Sequence, residues 1–200
     1  MSSIDTRQQI LDTAQPIIAG KGFAAVGLSE ILAAAAVPKG SFYHWFRSKE
    51  QFGEALLDRH FERYVAHVDA MLHDTDSTAA ERLLAYFGEW HALQSGTDPG
   101  SRCLVVKLSA EVCDLSEAMR ASLERGTAQL LALITECIAS GQAAHELAAD
   151  LDAAESAQQL YQQWLGATLL SRVQNRAEPL DRALAQTRRW LTAHTLQSAV

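Results

Sequence analysis

Two stretches of this chain carry side chains whose types and spacing suit them to chemistry. The first is Lys39-Gly40-Ser41-Phe42-Tyr43-His44, directly after Pro38. A cation, a position without a side chain, a hydroxyl, a phenol and an imidazole at the front of a short helix can reach base edges and phosphates in a DNA major groove. The second is Cys103, with Arg102 beside it and Lys107 one turn on, in a segment that follows Asp98-Pro99-Gly100. This places the thiol in the first turn of a predicted helix, where the helix N-terminus and the neighbouring cations favour thiolate. A thiolate is the form that electrophiles and oxidants attack. The competing reading of Cys103 is packing, because cysteine is a small and commonly buried residue.

Helices must position both groups. Residues 28–52 read as a short helix, a tight turn, a second short helix and the start of a third, which is the layout of a helix-turn-helix. The first of these spans 28–35, and Pro38 suits the first turn of the next, where a missing N–H costs nothing. Ser48-Lys49-Glu50-Gln51 has the form of a capping box, with Ser48 as N-cap and Gln51 reaching back. It opens a long helix through Phe52, Leu56, Phe61, Tyr64, Val68 and Leu72. Upstream, Ile10, Leu11, Ala14, Ile17 and Ile18 share one face of a helix that Pro16 should kink and Gly20-Lys21-Gly22 should end. Downstream of a loop at 74–77, helices are predicted over 79–94, 102–112, 115–140, 152–175 and 180–196. Gly141 is expected as a C-cap, with 139–150 partly irregular. No strand-like alternation or internal repeat is present, so the fold class is all-α with about nine helices.

The net charge of −7 is unevenly spread. Residues 1–50 hold five basic and four acidic side chains, whereas the remaining 150 hold twelve and twenty. An acidic body still binds DNA if its cations sit at the phosphates, with weak non-specific affinity and marked salt sensitivity. No apolar run approaches a membrane span and the N-terminus lacks a signal-peptide layout, so a cytoplasmic protein with no membrane association and reduced thiols is expected. A Gly-rich phosphate loop, a nucleophile elbow and a His-Glu-x-x-His motif are all missing, which argues against an enzyme and calls for no cofactor. His91 precedes Cys103, but the loop between them gives no reason to pair them as a dyad. His60, His67 and His73 fall on one helix at spacings of seven and six, too far apart for one zinc ion. They are expected to be solvated, and no metal site follows.

The segment Ile31-Leu32-Ala33-Ala34-Ala35-Ala36-Val37-Pro38-Lys39-Gly40-Ser41-Phe42-Tyr43-His44-Trp45-Phe46-Arg47-Ser48-Lys49-Glu50, with Gly20-Lys21-Gly22-Phe23 before it, resembles the TetR family of bacterial transcriptional repressors. The resemblance covers residues 7 to about 60 and implies a helix-turn-helix DNA-binding domain over 1–48 and a helical regulatory and dimerisation domain over 49–200. It assigns Lys39, Gly40 and Ser41 to the front of the recognition helix, with Lys39 reaching a guanine edge. Tyr43, His44, Lys49 and Ser29 are assigned to phosphates. Ala36 stands where the family commonly has a turn glycine, and a left-handed backbone there costs alanine about 1 kcal/mol. Residues 101–116 and Leu160-Tyr161-Gln162-Gln163-Trp164-Leu165-Gly166-Ala167 look like the N-ethylmaleimide-responsive branch of the family.

That branch implies a repressor that loses DNA affinity when a cysteine reacts with quinones, aldehydes or hypochlorous-acid-type oxidants, with Cys103 as the sensor. It places a lysine near Arg172 as a partner for the modified thiol; arginine stabilises a thiolate but is a poor nucleophile, which leaves a cysteine–lysine crosslink unsupported here. The family also implies a homodimer through the last two long helices and hence a palindromic operator. Tyr86, Trp90 and Trp164, with Leu93, Leu123 and Leu130, are candidates to line a pocket for a small apolar or aromatic inducer, or else ordinary core.

Overall fold

The computed structural model describes residues 3–96 and 103–196, with side chains from Thr6 onward. Its described residues form nine helices: α1 (Ser3–Lys21), α2 (Leu28–Ala34), α3 (Lys39–Trp45), α4 (Lys49–Leu72), α5 (Ala79–Ser95), α6 (Leu104–Val112), α7 (Glu117–Ala143), α8 (Ala153–Gln174) and α9 (Glu178–His194). The all-α expectation holds, with one isolated bridge pairing Leu147 and Thr195. Among the described residues no helix is long and apolar enough to cross a membrane. The chain divides into two compact units, Met1–Arg63 with Thr97–Gly126, and Tyr64–Gly96 with Thr127–Val200. The boundary drawn after residue 48 lies inside the first unit.

In the first unit, α1 buries Ile10, Leu11, Ala14 and Ile18, the apolar face read from their spacing. The helix continues through exposed Pro16 to Lys21, so the proline does not end it. Gly22, at φ +95°, then closes it by donating its N–H to the Ile18 carbonyl at 2.8 Å. Phe42, Phe46 and Phe52 pack with ring centroids 5.1 to 5.6 Å apart and pin α3 to the start of α4. Close helix approach rests on glycine: a Cβ on Gly126 of α7 would fall 2.1 Å from the Phe61 ring of α4. On α6, Leu104, Val105, Leu108 and Val112 are buried, and the helix packs on α1.

Three local expectations need correction here. Pro38 is the N-cap of α3, one position before the helix, because its extended ψ of 145° does not continue into the first turn. Gln51 does reach back, but its carboxamide oxygen accepts the N–H of Arg47 at 2.7 Å, one residue beyond Ser48. His60 is not solvated. The Gln15 amide donates to its Nδ1 at 3.4 Å, and burial, with Arg63 adding repulsion, pulls its pKa down to about 4.

The second unit is built on α5, α8 and α9, with α9 packed on both of the others. Thr78 and Glu81 form a reciprocal capping box at the start of α5. Asp152 caps α8, which ends on left-handed Asn175. α7 runs past Gly141 to Ala143, and left-handed His145 does the terminating instead. Gly141 is buried because Ala79 approaches it: a Cβ there would lie 2.5 Å from the Ala79 Cβ. His67 contacts the Glu89 carboxylate at 2.9 Å and His73 that of Asp69 at 2.9 Å, both on the surface.

Candidate nucleic-acid interface

The turn between α2 and α3 is set by hydrogen bonds that end α2. Ala36 takes φ +52°, the Val37 N–H reaches the Leu32 carbonyl at 3.0 Å, and the Ala36 N–H reaches that of Ala33 at 3.2 Å. This pair of bonds around a left-handed residue is a Schellman termination with alanine where glycine is preferred. Ile31 and Leu32 bury the inner face of α2, leaving Ser29 exposed at its front.

At about 100° per residue, Lys39, Tyr43, Gly40 and His44 fall within one arc of α3, and Phe42 points the other way. Burial follows this division: Lys39, Gly40 and His44 are exposed, Tyr43 is 54% exposed, and Phe42 is fully buried. Ser41 is half-buried, with its N–H bonded to the Pro38 carbonyl at 2.9 Å. The Tyr43 ring stands edge-on to Phe42 at 5.4 Å, and His44 stands edge-on to Trp45 at 4.7 Å. The outward face therefore presents an ammonium, a phenol and an imidazole on a helix fixed from behind by aromatic packing. Nothing lies within 4 Å of a Cβ built on Gly40, so this side of the helix is open to close backbone approach.

Lys49 does something the sequence did not disclose. Its ammonium donates to the Phe23 carbonyl at 2.8 Å, lies 3.5 Å from that of Ala24, and sits 4.8 Å from the Phe23 ring centroid. Two of its three N–H donors thus face the loop between α1 and α2. The residue holds that loop. Behind α3, the Arg7 guanidinium lies 5.5 Å from the Phe46 ring. Ser48 holds the Glu50 carboxyl below its usual range by hydrogen bonding.

Cys103 is half-buried and is the N-cap of α6, one position earlier than the first turn expected for it. It still lies at the helix end that favours anions. Its carbonyl accepts the Lys107 N–H at 3.0 Å, and the half-buried Lys107 side chain starts one turn along the same helix. Arg102 lies outside the described residues. Arg172 belongs to the second unit, where it donates to Gln94 at 3.2 Å. Cys137 is buried core, as expected, and burial pushes its thiol up to about 11.

Tyr86, Trp90 and Trp164 come together in the second unit as packed side chains. The Trp164 ring stacks on Phe87 at 5.2 Å, and Trp90 lies 5.9 Å from Trp164 and 6.0 Å from Tyr86. Both indole N–H groups are satisfied, Trp90 by Thr168 at 2.9 Å and Trp164 by Thr187 at 3.0 Å. His91 is paired with Asp181 at 2.7 Å.

A short helix with one exposed face, carried across a left-handed turn from another whose inner face is buried, on an aromatic core, has the layout of a helix-turn-helix. The signature of the bacterial regulatory proteins of the tetR family matches residues 10–56, and that of the tetracyclin repressor-like C-terminal domain matches residues 79–187. The chain belongs to the TetR family. It is 42% identical to the HTH-type transcriptional repressor NemR of Escherichia coli over 92% of each chain. It is 32% identical to the HTH-type transcriptional repressor DhaR of a Mycobacterium species over 92% of this chain and 91% of that one. A crystal structure of E. coli NemR in its reduced form superposes with a TM-score of 0.89 at 40% identity, covering 98% of this chain and all of that one.

Proposed function

We propose that this protein is a homodimeric, cytoplasmic transcriptional repressor, binding DNA and catalysing nothing. It grips a palindromic operator through residues 28–49 and releases it when an electrophile or oxidant modifies Cys103. The observation that carries the DNA reading is the exposed arc of Lys39, Gly40, Tyr43 and His44 opposite buried Phe42. Repression is the activity named for both NemR and DhaR.

Support for a dimer comes from α8, where Gly166, Leu169, Leu170 and Val173 recur at helical spacing. Leu169, Leu170 and Val173 are 52%, 48% and 73% exposed, and the space over Gly166 is open. Such a stripe marks an interaction surface, and a two-fold partner would match a two-fold operator. The thiol reading rests on the contrast between Cys103, half-buried at a helix start, and Cys137, sealed in core. The reduced form named for the NemR crystal supports the same reading.

The test is a gel shift on the DNA upstream of the protein's own gene, titrating N-ethylmaleimide and a quinone against wild type and Cys103→Ser. Release of wild type with retention of the variant is the expected result. If both release, Cys113 or a reversible ligand in the helical body is the trigger; if both hold, Cys103 is packing.

A further inference from the structure

We propose that Glu111, in the last turn of α6, is a positioning residue for the DNA-reading helix and acts through the loop between α1 and α2. Its Oε2 accepts the Phe23 N–H at 3.0 Å, and its Oε1 accepts the Ala24 N–H. Left-handed Gly22 turns these successive amides toward one point, the concave arrangement that suits an anion. A Cβ on Gly22 would lie 3.0 Å from Oε2, so the carboxylate occupies space that only glycine leaves free.

The same two residues are held from their carbonyl side by Lys49, at 2.8 Å and 3.5 Å. A carboxylate thus grips the N–H groups of Phe23 and Ala24, and an ammonium grips their C=O groups. Phe23 itself is buried. Lys49 is the first residue of α4 and follows Phe46, the C-cap of α3, by three positions. Phe46 and Phe52 bind that junction to the core beneath α3. The path from Glu111 to the recognition helix is therefore a short series of charge-assisted hydrogen bonds and packed rings, all within the first compact unit.

Cys103 stands at the other end of the same helix, about 12 Å away at 1.5 Å per residue. Buried Leu104, Leu108 and Val112 hold α6 between them. On the proposed function, on which the DNA arm of this inference rests, displacement of α6 by a modified Cys103 reaches the loop through Glu111.

The test uses full-length Glu111→Ala and Glu111→Gln, checked for folding by thermal unfolding, with three readouts. Amide exchange at Phe23 and Ala24 should quicken about tenfold in Glu111→Ala. Operator affinity of the reduced protein should fall about tenfold, while the further loss caused by N-ethylmaleimide shrinks toward none. A residue that only stabilised the fold would lower the melting temperature and leave that loss unchanged. Glu111→Gln, whose amide oxygen still accepts an N–H, should recover part of each effect, and it carries the same test if the alanine variant does not fold. Unchanged exchange, unchanged operator affinity or an undiminished response to N-ethylmaleimide would each overturn the proposal. If wild type itself fails to bind operator, the repressor reading fails, and if it binds but is not released, the Cys103 reading fails; in either case the exchange result decides on the clamp.

Discussion

Replacing Ala36 with glycine should make the protein more stable, against the usual sign of an alanine-to-glycine change. Ala36 is held at φ +52°, with its own N–H and that of Val37 both bonded back to α2. A left-handed backbone costs a residue with a Cβ roughly 1–2 kcal/mol. Glycine removes that cost but widens the unfolded ensemble, which gives back about 0.4–1 kcal/mol. The net gain is about 0.5–1 kcal/mol. With a urea slope of roughly 1–3 kcal/mol/M, the midpoint should rise by about 0.2–1 M at fixed protein concentration. Trp45, three residues after buried Phe42 and one before buried Phe46, gives a fluorescence signal from this region. The control is the same chemical change at exposed Ala33, inside α2 at ordinary helical angles, where glycine should cost about 1 kcal/mol. Opposite signs at positions 36 and 33 are the expected result. A fall in midpoint for both would refute the strain argument and make the turn bonds indifferent to backbone region.

Further outcomes follow from the same structure. His60 is neutral in the fold with a pKa of about 4 against 6.5 unfolded, so its contribution is intact above pH 6.5 and is lost as pH falls toward 4. Urea midpoints should show about 2 kcal/mol lost between pH 7 and pH 5 from this group, a component absent from His60→Gln; an equal fall in that variant would contradict the burial argument. Cys137, with its thiol raised to about 11, should resist N-ethylmaleimide in native protein and label only after unfolding, as read by peptide mass. Val173→Asp, at the most exposed apolar position of the α8 stripe, should shift the protein from dimer to monomer in light scattering; an unchanged mass would place the interface elsewhere.

The sequence was legible where the physics is local. Periodic apolar residues and turn formers placed each helix within a few residues, because burial of one face and capping are written within a turn or two of chain. The outward arc of α3 was legible for the same reason, as was the strained turn at Ala36. Contacts between distant segments were not. Glu111 reaches Phe23 across 88 residues, and Gln15 reaches His60 across 45. Lys49 read as a phosphate ligand because its backbone partners at Phe23 and Ala24 have no side-chain signature. His60 read as solvated because helical spacing along α4 shows which residues share a face, not which face another helix covers. Gly22 carried the one available hint of the carboxylate site, yet a glycine at a helix end is already explained by the cap.

The most direct measurement is fluorescence anisotropy on the DNA upstream of the gene and on a scrambled duplex, with wild type, Lys39→Ala, Tyr43→Ala and the surface control Arg188→Ala on α9. Wild type and the control should bind the upstream DNA alike and prefer it over the scrambled duplex. Lys39→Ala should lose about tenfold or more in affinity and part of that preference, and Tyr43→Ala should weaken both duplexes alike. Wild-type affinity in both α3 variants would contradict the assignment of DNA recognition to this helix.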